Sequence, residues 1–399
     1  MKILLVHNFY KTSAPSGENI VFQNELALLN KKGVKVVTYC RHNDEIGGYK
    51  KRLHTAASVI WSRRTYRELR LLIEREKPDV AHFHNIWYLV SPSAYYACKD
   101  AGVPVVQTVH NFRFFCANGI FVRKEKVCTL CLGKLPWRGA LCGCCESPWI
   151  RTLPAVFSAV FHRLRKITDK GIDAYIALGN NARERLINCG ISPDKISVKS
   201  NFVHGIPASD EDSDPYLLFA GRLNKRKGTD TLMEALRILK VERGIDAPVK
   251  IAGNGQAKDS IEKAIKNNGL SAVELLNNVN HDEMLRIMQK AKCVIVPSRW
   301  FEMHPTVIIE AFSMGKPVVG SRIDNIGEMV SDGKTGLLFD MNDPHDLASK
   351  LEKIITDDKA CMEMGRSARR EYEERFSPDV NYKILVDIYS KVINRGKDG

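Results

Sequence analysis

No stretch of the 399 residues reaches the roughly 18 uninterrupted apolar residues that a membrane-spanning helix needs. The opening Met1–Asn8 is short, apolar and strand-like, without the pattern of an export signal. The expected location is therefore the cytoplasm. Acidic residues are scarce in the first half: residues 1–200 carry a net +16 within a total of +14, which leaves the other 199 residues at −2. A half so poor in compensating acid points to a polyanionic partner such as anionic lipid headgroups, lipid-linked diphosphates or nucleic acid. At 44% hydrophobic and 27% charged the chain is too apolar to be disordered, and it is too long for one ordinary core. Two α/β-sized domains are expected.

Short runs rich in Val, Ile and Leu recur at Ile3–Val6, Val34–Tyr39, Val80–Phe83, Val103–Val109 and Ala174–Leu178, then at Tyr216–Ala220, Val249–Ala252, Val294–Val296 and Pro317–Val319. Their apolarity is continuous rather than alternating, which is the pattern of strands covered on both faces. Helical periods lie between them, among them Ile20–Lys31, Thr65–Glu76, Thr231–Arg243 and Asp346–Thr356. Strand and helix alternating twice over predicts two doubly wound α/β domains. The expected division is 1–204, a turn-rich acidic linker at 205–215, a second domain at 216–376, and a closing helix within 377–399 that packs back on the first domain.

In such folds ligands bind beyond the carboxyl ends of the strands. After the run ending at Val296, Pro305 is placed to open a helix and Gly315 to end it. The free amides of that first turn, Thr306 and Val307 included, suit a phosphate. Glu310 lies one turn further among Val307, Ile308, Ile309, Ala311 and Phe312, a carboxylate in apolar surroundings that ribose hydroxyls would satisfy. Arg222 and Lys227, in a loop between Gly221 and Gly228, suit a departing diphosphate. Gly253-Asn254-Gly255 permits close backbone approach to a base or ribose, or is a plain turn.

These segments together resemble the family 4 retaining glycosyltransferases of GT-B fold. Glu302 and Glu310 match that family's Glu-x7-Glu motif, and the likeness extends through Gly221-Arg222, Lys227, Gly253–Gly255, Pro317–Gly320 and Asp332–Phe339. The resemblance implies two Rossmann-like domains facing across a cleft. It implies a hexosyltransferase-type enzyme that moves a sugar from a UDP or GDP donor to a saccharide with retained configuration, and with no metal or other cofactor in catalysis. It assigns the diphosphate to Arg222 and Lys227, the ribose to Glu310, and the donor sugar near the reacting centre to Glu302. His110, at the carboxyl end of the Val105–Val109 run, matches a histidine that faces the donor sugar. Ser16 and Gly17 match a glycine loop that brings amides to the donor phosphate, although a second glycine is missing here. Met303-His304-Pro305 replaces the Gly-rich stretch that often follows the first Glu.

His82 and His84 share one strand face and either line the acceptor cleft or pack inside. Trp149–Lys166 reads as a basic amphipathic helix that touches an anionic inner membrane surface or simply covers the sheet. With the net +16, this predicts a lipid-linked oligosaccharide acceptor, bacterial surface polysaccharide as the product, and a peripheral position on the inner membrane face. Six of the eleven cysteines fall within residues 116–145, where metal or free thiols are favoured over disulfides. Cys128-Thr-Leu-Cys131 with Cys116 and Cys144 predicts a structural zinc site, with Cys142 and Cys145 as alternatives for the fourth ligand. Two other readings remain at this point, a nucleotide-sugar epimerase of the same fold and a zinc-containing nucleic-acid-binding protein. The donor-site motifs weigh against the latter, so no nucleic acid is expected as partner.

Overall fold

The computed structural model describes residues 1–399 except 13–15, 48–54, 124–125, 143, 145–148, 207–215, 278 and 397–399. Cys145 and most of the expected linker thus lie outside the described residues. The chain divides into two units, Met1–Asn201 with Asp379–Gly399, and Phe202–Pro378.

In the first unit the apolar runs become a six-stranded parallel sheet of β1 (Lys2–Phe9), β2 (Lys35–His42), β3 (Val80–Phe83), β4 (Val105–Thr108), β7 (Ala174–Ala177) and β8 (Ile196–Val198). Between β4 and β7 lies a two-residue hairpin, β5 (Val122–Arg123) with β6 (Lys126–Val127). The sheet order is β2-β1-β3-β4-β7-β8, so the chain reverses direction across the sheet between β1 and β3. Ile3, Leu4, Leu5 and Val6 are all fully buried, as strands covered on both faces must be. One covering helix is Pro378–Arg395, whose Leu385, Ile388, Tyr389 and Val392 join a core with Ile3, Leu5, Phe22 and Val106.

The second unit repeats the plan with β9 (Leu217–Ala220), β10 (Val249–Ala252), β11 (Val273–Leu276), β12 (Cys293–Val296), β13 (Val318–Ser321) and β14 (Gly336–Phe339) in the order β11-β10-β9-β12-β13-β14. All neighbouring strands are parallel, and β9 and β12 flank the reversal. Three strands are absent from the apolar-run reading: β8, β11 and β14. Each is an edge strand, paired on one side only; β8 and β11 are only partly buried, whereas β14 is short but buried throughout. Helices begin before their apolar period does, because polar caps start them. Ser16 accepts from the Glu18 amide, Ser62 from Thr65, and Asp343 from His345 and Asp346.

Candidate functional site

The loops after β9 and β12 meet at the reversal point of the second unit, where doubly wound folds bind their ligands. The β9 loop folds as a turn capped by Asn224, whose Oδ1 accepts from the Lys227 amide at 3.0 Å. Gly228 closes it at φ +71°, and a Cβ there would lie 1.8 Å from the Pro297 carbonyl oxygen, so only glycine lets the two loops touch. Lys227 Nζ then reaches Glu302 Oε1 at 2.5 Å. The same oxygen accepts from Ser298 Oγ and from Trp300 Nε1, each at 2.8 Å. Three donors converge on Oε1 of a carboxylate that is 7% exposed, which leaves Oε2 as the acceptor free to turn toward a ligand.

Pro305 is the N-cap of the helix Thr306–Ser313, one residue outside the first turn where the sequence places it, and Gly315 follows the C-cap Met314 at φ +67°. Thr306 and Val307 supply the first amides and are half-buried. Glu310 is 8% exposed, and no hydrogen bond reaches its carboxylate among the described residues. Among the described residues its one ionic neighbour is His281 Nε2 at 3.9 Å. Burial pushes its carboxyl pKa up, and His281 opposes that only in part. Glu310 is thus a carboxylate held dry with only partial compensation from His281. Arg222 is exposed on the β9 loop. Gly253 and Gly255 serve first to pack loops together: a Cβ on Gly253 would lie 1.8 Å from the Gly221 carbonyl oxygen, and one on Gly255 2.2 Å from that of Leu223.

In the first unit Ser16 caps the helix Gly17–Lys31, and Gly17 has open space around it. His110 is buried at the end of β4 and its Nε2 lies 2.9 Å from His84 Nδ1. His84 Nε2 is 3.1 Å from Glu25 Oε1, and an ionised carboxylate only accepts. His84 Nε2–H therefore donates to Glu25, and one proton is shared between His84 Nδ1 and His110 Nε2. His82 joins the same carboxylate through Nδ1 at 2.9 Å, with Thr108 Oγ1 2.7 Å from its Nε2. Lys199 Nζ lies 3.2 Å from Glu25 Oε2 and donates to Asn381 Oδ1 at 2.7 Å. Burial alone would raise the Glu25 pKa, but Lys199 and the two histidines hold it well below the usual range. Burial lowers His82 to about 4, and it holds His110 well below its ordinary value with help from His84 and His7. His82 and His84 accordingly pack inside. Glu25, His82 and His84 are also the described group of three donors close enough to share an ion, all within 4.8 Å. The Lys199 ammonium already supplies the cation there.

Glu18 escaped the sequence reading because it looks like an ordinary acidic residue in a helix first turn. Its Oε1 is 3.4 Å from Tyr10 Oη and from Asn111 Nδ2, while Oε2 is buried without a hydrogen-bond partner, as is Arg113 Nε. Burial raises the Glu18 pKa against the pull of Arg113. These orphaned atoms sit beside the loops that follow β1 and β4, where a polar ligand would satisfy them.

The helix Trp149–Leu164 divides its apolar residues. Val156 and Ala159 are buried with Thr152, Ser158 and His162, and Ser158 Oγ and His162 Nε2 bond the carbonyls of Val59 and Ile60 at 2.8 and 2.7 Å. Leu153, Phe157 and Leu164 face outward at 38, 58 and 65% exposure. Cys116, Cys128, Cys131, Cys142 and Cys144 line one small cavity in the insert before this helix.

Comparison with known proteins agrees with this architecture. The family model described as Glycosyltransferase Family 4 matches residues 16–204, and that described as Glycosyl transferases group 1 matches residues 206–371. An uncharacterized glycosyltransferase of Methanocaldococcus jannaschii is 34% identical over 160 residues, 40% of this chain and 43% of that protein. The match thus spans less than half the length of that curated relative. Among solved structures, a Rickettsia africae glycosyltransferase superposes with a TM-score of 0.69 at 16% identity, covering 98% of both chains. Anabaena HepE, solved in complex with UDP and glucose, gives 0.67 at 17% identity over 98% of this chain and 100% of that one. With two doubly wound units, the Glu302/Glu310 pair at the reversal point of the second, and family models matching both units, the chain belongs to the family 4 glycosyltransferases of GT-B fold.

Proposed function

We propose that the protein transfers a sugar from a nucleoside-diphosphate-sugar donor to a saccharide acceptor with retention of anomeric configuration. The observation that carries this is Glu310, a buried and unbonded carboxylate one turn inside a helix whose amide end adjoins the Lys227–Glu302 pair. A ribose diol fits the carboxylate, and a diphosphate fits the Thr306 and Val307 amides with Lys227 and Arg222. HepE, of similar fold, holds UDP and glucose, which supports such a donor.

In the reaction the bond between the anomeric carbon and the diphosphate oxygen breaks, and the acceptor hydroxyl oxygen bonds that carbon from the same face. The hydroxyl proton passes to the departing phosphate. Negative charge grows on the leaving group, so fixed cations and amides aimed at it lower the barrier. Glu302 Oε2 accepts from a donor-sugar hydroxyl while Lys227, Ser298 and Trp300 hold its other oxygen. His110, in the first unit, is neutral and hydrogen-bonded through Nε2 to His84.

The acceptor in this reading is lipid-linked, the site of action is the inner membrane face, and the product is a bacterial surface polysaccharide. An open groove of about 560 Å³ in the first unit supports this, since every side chain lining it is apolar, Ile60, Trp137, Leu153 and Phe157 among them. Arg165 and Lys166 are exposed at the end of the helix that forms one wall. A hydrocarbon tail beside a phosphate headgroup matches that combination.

A panel of UDP-, GDP- and ADP-sugars, scored for hydrolysis and for protection against heating, tests the donor. Epimerisation of a donor with no transfer to any acceptor, or no protection by any nucleoside diphosphate, would overturn the reading. Co-sedimentation with anionic vesicles at low salt tests the membrane part, with Phe157→Asp expected to abolish it. Full activity on a soluble sugar without vesicle binding would count against a lipid-linked acceptor.

A further inference from the structure

The insert after β4 has little regular structure, yet it gathers thiols. Phe112, Phe114 and Phe115 anchor its start in the first unit, and the Phe112 amide donates to the Gly119 carbonyl at 2.7 Å, so the chain doubles back past Cys116. The hairpin β5–β6 returns it again. Its exit is fixed by the Cys128 amide, which donates to the Phe121 carbonyl at 2.7 Å. Cys128 and Cys131 then flank a turn in which the Leu132 amide bonds the Thr129 carbonyl. The short helix Arg138–Leu141 follows, pressed so closely on the body that a Cβ at Gly139 would lie 2.5 Å from that of Ala117. Cys142 ends that helix. Asn118 ties the two ends of the insert together, since its Nδ2 donates to the Cys144 carbonyl at 3.2 Å and its Oδ1 accepts from the Cys116 thiol at 3.0 Å.

The outcome is a cavity of about 10 Å³, room for a single ion or water, lined by Cys116, Cys128, Cys131, Cys142 and Cys144 with Arg138 at its edge. All five cysteines are free thiols. Segments 28 residues apart at their extremes bring five thiols to a common point, beside Asn118, Val122 and Leu130, an arrangement that hydrophobic packing alone does not require.

We propose that this cavity is a structural zinc site whose ligands are the thiolates of Cys116, Cys128, Cys131 and Cys144. Cys128 and Cys131 supply the tight-turn pair. Cys116 and Cys144, brought close in the free protein through Asn118, supply the second pair, the Cys116–Asn118 hydrogen bond being given up as Cys116 loses its proton; Cys142 is the spare thiol. Binding releases four thiol protons and forms four Zn–S bonds, leaving a tetrathiolate centre of net charge −2 that the Arg138 guanidinium faces. The described thiols encircle the cavity without three of them lying within 4.8 Å of one another. Binding therefore draws them in to the ~3.8 Å sulfur separation that Zn–S bonds of ~2.3 Å set in a tetrahedron. The centre is closed and takes no part in sugar transfer. What it holds is the stretch between Cys131 and Cys144, and Trp137 and Ala140 on that stretch form one wall of the apolar groove.

Protein expressed with zinc and purified without chelator should contain close to one zinc per chain by elemental analysis, released by a mercurial thiol reagent into a colorimetric zinc indicator. Cys128→Ser combined with Cys131→Ser, and Cys144→Ser alone, should lose it, whereas Cys142→Ser should retain it. Because the serine variants depend on folding, the wild-type chain provides the independent reading. Replacement of zinc by cobalt should give thiolate-to-metal charge transfer and the intense visible bands of a tetrahedral centre. Metal-free protein with native melting, intact-mass evidence of disulfides among these cysteines, or octahedral cobalt spectra would overturn the site. Zinc lost in Cys142→Ser but kept in Cys144→Ser would overturn the ligand set.

Discussion

Glu310→Gln separates two quantities that the buried carboxylate sets against each other. The substitution keeps the shape of the side chain and removes its charge, so it acts on electrostatics rather than packing. In the free protein Glu310 is 8% exposed with His281 at 3.9 Å as its one ionic neighbour, so the charge costs desolvation that little repays. The glutamine variant should therefore melt at the same temperature as the parent or higher. In the proposed reading the carboxylate accepts from ribose hydroxyls when nucleotide is bound, and hydrogen bonds to a charged group contribute about 1.5–3 kcal/mol each. Replacing that acceptor by a neutral amide should weaken nucleoside-diphosphate binding by roughly 10- to 100-fold, since each ~1.4 kcal/mol is tenfold in affinity. Titration calorimetry with UDP and GDP, beside thermal melts, reads both. The pH dependence has a definite sign. The folded pKa of Glu310 lies above the unfolded value of about 4.3. Its contribution to stability is complete below that unfolded value and is lost as pH rises through the folded pKa. The parent should therefore lose stability relative to Glu310→Gln across that interval, while its nucleotide affinity rises as the carboxylate ionises. Unchanged affinity in a variant with a native melt would refute the ribose role.

If Arg222 and Lys227 face the departing diphosphate as proposed, Arg222→Ala and Lys227→Ala should each lower kcat by ~10²-fold, because the charge they would meet grows as the bond breaks. A rise in KM alone would make them anchors for the donor. Glu25→Gln should destabilise the first unit by roughly 3–5 kcal/mol, since it leaves the buried Lys199 ammonium without its counter-charge. A denaturation midpoint equal to the parent's would refute this. Acid should unfold the first unit early, because His7 and His82 are depressed to about 3 and about 4 and stay neutral when folded. Each takes up a proton on unfolding below its unfolded pKa of ~6.5, so each removes up to ~1.4 kcal/mol per pH unit as pH falls from there toward its folded value. A stability profile flat from neutrality to mild acid would contradict that.

The sequence by itself determined the class of fold, because strands buried on both faces need continuous apolar runs and such runs recur in two series. It also placed Glu302 and Glu310 around the start of a helix, since Pro305 and Gly315 bound that helix by backbone geometry alone. It brought Cys128 and Cys131 onto one turn through their two-residue spacing, and His82 and His84 onto one face through strand alternation. The tertiary structure decided everything that depends on partners distant in the chain. Lys227 meets Glu302 across 75 residues, and Glu25 meets Lys199 across 174. No local pattern records either pair: the first follows from β9 and β12 being neighbours in their sheet, and the second joins a residue of the helix Gly17–Lys31 to one just beyond edge strand β8. The glycines at 253 and 255 read locally either as room for a ligand or as a plain turn, and only the fold shows that they pack against the β9 loop. Edge strands β8 and β11 escaped notice because they are only partly buried and carry polar residues, Ser197 and Glu274. An amphipathic period likewise says that the helix Trp149–Leu164 has an apolar stripe, but packing alone splits it, burying Val156 and Ala159 and leaving Leu153 and Phe157 outside. Periodicity measures how apolar a face is, and the shape of what it packs against sets how much of that face is covered.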